Sequence, residues 1–120
     1  MTKYLILLVA VILFSCADDE DKARASFDGN WDLYVDSNYS PSKIETKDNT
    51  MTIWGEKYTG DYSLSSFTGT RVINSQGLTT TFTLFLYLMN DNEISGSFKV
   101  DMSYSGENSH SSVIVTGRRK

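Results

Sequence analysis

Residues 78–89 read Leu-Thr-Thr-Thr-Phe-Thr-Leu-Phe-Leu-Tyr-Leu-Met, with Phe82, Leu84, Leu86 and Leu88 at every second position. Residues 94–104 repeat the pattern with Phe98, Val100, Met102 and Tyr104, also at even numbers. Side chains two apart share a face only on a β-strand, where the side-chain period is two. No window carries the period of an amphipathic helix. Two such ribbons in succession must bury one face each, so the chain is committed to a sheet whose inner face is covered by more sheet.

The pairing of these two ribbons is constrained by the same alternation. A two-residue turn at Asp91-Asn92 places Leu86 opposite Ser97 and sets apolar against polar. Because a one-residue slip flips every side chain, the sequence favours a three-residue loop, Asp91-Asn92-Glu93, or a β-bulge with the same effect. The loop sets Leu86 opposite Phe98, Leu84 opposite Val100 and Phe82 opposite Met102, with Gly96 facing Leu88.

Upstream the pattern is shorter and weaker. Residues 30–36 place Trp31, Leu33 and Val35 on one face. Residues 37–42, with the sole proline, Pro41, read as a loop and 43–46 as a short strand. Residues 50–54 join Met51 to Ile53, and after Gly55-Glu56 residues 57–66 put Tyr58, Tyr62 and Leu64 on one side. A strand over 69–75 ends at Asn74-Ser75-Gln76-Gly77. After a turn over 106–109, residues 111–117 point Val113 and Val115 inward. These signals predict an all-β fold, a small antiparallel up-and-down barrel of about eight short strands, because closure removes exposed edges.

The chain has 120 residues and a net charge of −4. Without a cationic stripe to release counterions, nucleic acid is excluded as a partner class, and so is electrostatic adsorption to anionic lipid. One Cys and one His cannot build a disulfide or a zinc set, so a metal or cofactor is not expected. Stability has to come from a closed apolar interior.

The N-terminus carries an address. Met1 to Lys3 is a short positive start, followed by an apolar run from Tyr4 to Phe14 and then Ser15-Cys16. The run is too short to span a bilayer, which takes roughly 20 apolar residues, and it fits a secretory signal. With Leu13 three before the cysteine and Ser15 just before it, the segment resembles the signal of bacterial lipoproteins. That resemblance implies diacylglycerol on the Cys16 sulfur, cleavage before Cys16 and anchoring by two or three acyl chains. The acidic run Asp18-Asp19-Glu20-Asp21 reads as a solvated spacer and also resembles the surface-export signal of Bacteroidetes lipoproteins. Ala17 after the cysteine points, by resemblance to the enteric sorting rule, to the outer membrane, on its cell-surface or periplasmic side. The expected division is 1–15 signal peptide, 16–26 lipidated Cys16 and acidic linker, and 27–120 β-barrel domain.

Gly29-Asn30-Trp31, opening the first strand, resembles the G-x-W signature of the calycin group, which includes the lipocalins, fatty-acid-binding proteins and avidin-like barrels. In that group a basic side chain at the end of the last strand packs on the tryptophan. The resemblance therefore implies Gly29, Trp31 and Arg118, or its neighbour Arg119, as a structural signature closing one end of the barrel. The chain is shorter than a typical lipocalin and lacks its disulfides and long helix. Short strands imply an interior filled by its own side chains.

Chemistry is sparse. His110, in Asn108-Ser109-His110-Ser111-Ser112, reads as a solvated turn residue with no nucleophile beside it. Asp91-Asn92-Glu93 and the acidic run lack the spacing of a calcium loop. Asp28, Asp32 and Asp36 are expected to face solvent. No constellation supports an enzyme. The outward face of the long hairpin offers Phe85, Tyr87 and Met89 as a candidate binding surface. The expected function is a membrane-anchored, non-enzymatic domain that binds a protein, glycan or small apolar ligand; the alternative is an envelope inhibitor or assembly accessory.

Overall fold

The computed structural model describes residues 26–120; Cys16, the leader and the acidic run lie outside the described residues. The chain runs β1 (Gly29–Val35), β2 (Asn38–Tyr39), β3 (Ser42–Lys47), β4 (Thr50–Ile53), β5 (Glu56–Ser63), β6 (Ser66–Ser75), β7 (Leu78–Asn90), β8 (Glu93–Tyr104) and β9 (Glu107–Arg119). Every neighbouring pair is antiparallel, in the order β1-β3-β4-β5-β6-β7-β8-β9, and β1 pairs with β9 to close the ring. The short β2 hairpins back onto the end of β1 outside that ring, within a stretch expected to be loop. The result is the all-β, closed up-and-down barrel of eight strands expected, with one extra strand. It is compatible with a lipocalin-like barrel.

Two-residue turns join most strands. Trp54-Gly55, Gln76-Gly77 and Ser105-Gly106 have positive φ at both residues, the primed turn whose twist matches the strands it joins. A tryptophan at φ 53° is unusual. Its backbone N–H donates to the Ser42 hydroxyl at 2.8 Å and its Nε1 to the Ser40 carbonyl at 2.9 Å, which fixes the turn against the 40–42 loop.

The interior is filled by the inward faces. Trp31 and Leu33 from β1, Ile44, Met51, Ile53, Phe67, Leu84, Leu86 and Val115 have no exposed surface. Tyr62 lies 4.7 Å from Phe67 and 6.3 Å from Phe27, ring to ring. At about 25 cal/mol per Å² of apolar surface removed from water, this cluster is the main stabilising term.

The structure departs from the sequence reading at particular places. The β7–β8 hairpin does keep even against even, but it does so with a two-residue turn and a bulge at Met89, between Leu88 and Asn90. The extra residue takes up the odd slip, so Leu84 faces Phe98, Phe82 faces Val100 and Leu86 faces Gly96; each partner expected from the three-residue loop is displaced by two. Strand β5 ends at Ser63, and Leu64 stands exposed in the turn at φ 47°. Because β6 begins at Ser66 rather than 69, Phe67 becomes a fully buried core residue that the sequence reading passed over.

One end of the barrel is sealed by Arg119, not Arg118. Its guanidinium lies 4.3 Å from the Trp31 ring centroid. Nη1 donates to the Asp28 carbonyl at 2.7 Å, Nε to the Asp91 carbonyl at 3.1 Å, and Nη2 to the Ser26 carbonyl. The Trp31 Nε1 donates to the Phe27 carbonyl at 2.8 Å. Gly29 is required here: its φ is 135°, and a Cβ would come within 2.8 Å of the Arg119 Nη1. Parity explains the choice of arginine. Val113, Val115 and Gly117 face inward on β9, and Arg119 is the next position on that face.

Candidate functional site

On the outer surface, Phe85, Tyr87 and Met89 are exposed as the sequence predicts. Phe85 and Tyr87 lie 5.9 Å apart, ring to ring, and the bulge carries Met89 to the rim beside them. The strand register adds what the sequence could not. Tyr87 faces Ser95, Ser95 faces Thr116, and Thr116 faces Tyr34, so two aromatic side chains flank a floor of small polar residues. A groove of about 290 Å³ runs there, lined by Tyr34, Met89, Glu93, Thr116 and Arg118. Arg118 thus belongs to this outer groove, with its guanidinium 3.9 Å from the Glu93 carboxylate. Beside it Tyr34 packs against Tyr39 at 5.5 Å. The Tyr39 hydroxyl donates to Asp32 at 2.7 Å, and this bond to the carboxylate pushes the phenol's pKa up.

The opposite end of the barrel is built differently. Strands β6 to β9 are 10–13 residues long, whereas β1, β3 and β4 have 4–7. Strand β5 pairs with β6 only as far as Thr70, and β1 pairs with β9 only from Val115 onward. Beyond those points β6-β7-β8-β9 continue as a four-stranded ribbon with no sheet across from it among the described residues.

The root of that ribbon is aromatic. Phe98 stacks on Phe82 at 5.7 Å and meets Trp54 and Tyr58 edge-on, each at 6.3 Å. Arg71 lies 5.5 Å over the Phe82 ring and 2.9 Å from Glu56. Burial pushes the Tyr58 phenol up, since desolvation disfavours the phenolate. Past this plug the inner face carries Ile73, Leu78, Val100, Met102 and Tyr104, of which Ile73, Met102 and Tyr104 are 39%, 41% and 55% exposed. The sequence reading put Met102 and Tyr104 in the core. They do point to the inner side, but no strand among the described residues opposes them.

His110 is not in a turn: it sits within β9, facing Asp101 across the β8–β9 ladder, and its Nδ1 contacts the Asp101 Oδ1. Around residues 91–93 the local bonds are those of a turn, with the Asn92 N–H donating to the Asn90 side chain at 2.8 Å. Asp28 accepts from the Thr46 N–H and hydroxyl at 2.7 and 2.8 Å, tying the entry segment to β3. Among the described residues no group of three or more His, Cys, Asp or Glu is arranged to hold a metal.

No family model matches the chain, no curated protein matches it and no solved structure matches it.

Proposed function

We propose that the protein is a non-enzymatic binding domain, tethered to a bacterial outer membrane by lipid on Cys16, that engages a macromolecular partner through the inner face of its projecting ribbon. The observation that carries this reading is the apolar face formed by Ile73, Leu78, Val100, Met102 and Tyr104, which no strand among the described residues opposes. Contiguous apolar surface in water is unfavourable unless something covers it part of the time. The barrel interior is filled by Trp31, Leu33, Phe67 and their neighbours, which favours a surface partner over a small ligand held inside. Polarity favours the same reading. Ser26 is held at the sealed end by Arg119, while the ribbon tip at Gly106 lies at the other end of β9, about 40 Å away at roughly 3.3 Å per residue. A lipid upstream of Ser26 would leave the apolar face pointing away from the membrane.

A photo-crosslinking residue at Tyr104, introduced into the intact lipoprotein in cells, is expected to capture a macromolecule, and one at the similarly exposed Val72 on the outer face of β6 is not. Equal capture at both positions, or none at Tyr104, overturns the binding assignment. Loss of metabolic acyl labelling in Cys16→Ser tests the anchor independently. The outer groove supports a second reading, a glycan lying between Tyr34 and Met89, for which Tyr34→Ala would abolish binding and Tyr104→Ala would not.

A further inference from the structure

The ribbon also ends in an open backbone edge. Residues 107–113 of β9 pair with β8 on one side and with no strand among the described residues on the other. The direction of each backbone group follows from the ladder. The Asp36 N–H donates to the Ile114 carbonyl at 2.8 Å across the β1 side, while the Arg119 N–H donates to the Asn92 carbonyl at 2.9 Å on the β8 side. Even-numbered residues of β9 therefore aim N–H and C=O away from β8, because these directions alternate along an antiparallel strand. At the open edge those residues are Asn108, His110 and Ser112.

Natural edges are usually blunted by lysine, proline or a bulge. This one carries none of them: residues 107–113 read Glu-Asn-Ser-His-Ser-Ser-Val, and β8–β9 pair without a register shift. The stretch is moreover its own complement. Its outward-aimed groups are centred on His110, so a second copy related by a twofold axis through His110 sets Asn108 opposite Ser112 and His110 opposite its twin. Every edge N–H then meets an edge C=O. On the outer face each His110 keeps its contact with its own Asp101, so the imidazoles meet with a carboxylate behind each. The inner face at this edge has small Ser109 and Ser111 at its centre, and the twofold sets Glu107 opposite Val113 of the second copy at either end. The notch closes at Ile114, where β1 resumes, which matches the end of the partner's strand.

We infer that two copies of the chain pair antiparallel through the β9 edge, joining their ribbons into one continuous eight-stranded sheet. The area of the apolar face supports a second copy. A single ribbon offers about 19 Å by about 17 Å from strand spacing and rise, less than half of the roughly 800 Å² per partner that a standard interface uses. Twofold pairing doubles the face without adding a residue. The need for a doubled face rests on the proposed binding role, whereas the backbone pairing does not, so the dimer can form whether or not a partner binds.

The test is sedimentation velocity from micromolar to millimolar protein, on the full chain in mild detergent and on residues 26–120, which contain all of the closed core. The wild type is expected to dimerise, and the amides of Asn108, His110 and Ser112 to gain exchange protection as concentration rises. His110→Pro and Ser112→Pro each remove an N–H aimed at the open edge while leaving the β8 ladder intact, and both should be monomeric with unchanged far-UV spectra. Ser109→Lys places like charges across the seam without touching the backbone, and should lose the dimer most fully at low salt. Val72→Pro, the equivalent change at the β6 edge, should leave it in place. A wild type that stays monomeric to millimolar concentration overturns the inference. So does a dimer that survives Ser109→Lys together with whichever proline variants fold, or one that Val72→Pro abolishes.

Discussion

Replacing Arg119 by alanine removes a cation stacked on Trp31 together with the donors to the Asp28, Asp91 and Ser26 carbonyls. A partly desolvated cation–π contact contributes about 0.5–2 kcal/mol, and hydrogen bonds from a charged group about 1.5–3 kcal/mol each. The lower ends sum to about 5 kcal/mol, and because Arg119 is only half-buried and the bonds to Asp28 and Asp91 are exposed to solvent, the expected loss is about 3–5 kcal/mol. That is a large share of the roughly 5–15 kcal/mol by which domains of this size are stable. At about 4–8 °C per kcal/mol for a domain of this length, the thermal midpoint should fall by about 12–40 °C. Urea unfolding followed by tryptophan fluorescence measures the free energy, and thermal unfolding followed by far-UV circular dichroism measures the midpoint. Arg119→Lys keeps the charge but lacks the planar fork that reaches several carbonyls, and should lose roughly half as much. Arg118→Ala is the control: its side chain is exposed, with Glu93 3.9 Å away, and the change should stay within about 0.5 kcal/mol. An Arg119→Ala protein within that same margin, or an Arg118→Ala protein equally damaged, would refute the assignment of Arg119 as the seal.

Leu84→Ala, at a position with no exposed surface, should cost about 2–5 kcal/mol, whereas Ile114→Ala on the outer face of β9 should change the urea midpoint little. Gly96→Ala should be more harmful than any exposed substitution, because its Cβ would fall 1.9 Å from the Phe85 carbonyl oxygen; a fully stable variant would mean that β7 and β8 are not in the register described. Tyr58 and Tyr39 both have pKa values raised above the ordinary 10.0 in the folded state. Protonated phenols therefore favour the fold, so stability should hold through neutral pH and decline as pH climbs past about 10. Tyr58→Phe should soften that decline, and a fall beginning well below pH 9 in the wild type would contradict it.

How much of this was legible beforehand depends on the range of the physics involved. Side-chain period is a local property, and it assigned the faces of β1, β4, β7, β8 and β9 correctly, including Trp31, Met51, Leu84 and Val115. The parity of Val113 and Val115, carried two steps on, singles out Arg119, a signal the sequence reading did not use when it named Arg118 or its neighbour. Strand ends were less legible where turn and strand chemistry overlap. Ser66-Phe67-Thr68 reads as well for a turn as for a strand, and Phe67 is core only because β7 lies beside it. Nothing in the local pattern marked Tyr34 as a neighbour of the Tyr87 row, since that adjacency comes from ring closure between β1 and β9.

The sequence by itself determined that this chain is sheet, and which way most side chains of its long strands point. Only the tertiary structure decided which inward-pointing residues are covered. Leu84 and Met102 obey the same alternation on one hairpin, yet one is sealed and the other lies in water, because strands of 4–7 residues cannot roof strands of 12 and 13. Direction is set by a residue and its immediate neighbours, while burial needs a partner brought from elsewhere in the chain. The surface proposed for binding, and the edge proposed for pairing, both lie where that partner runs out.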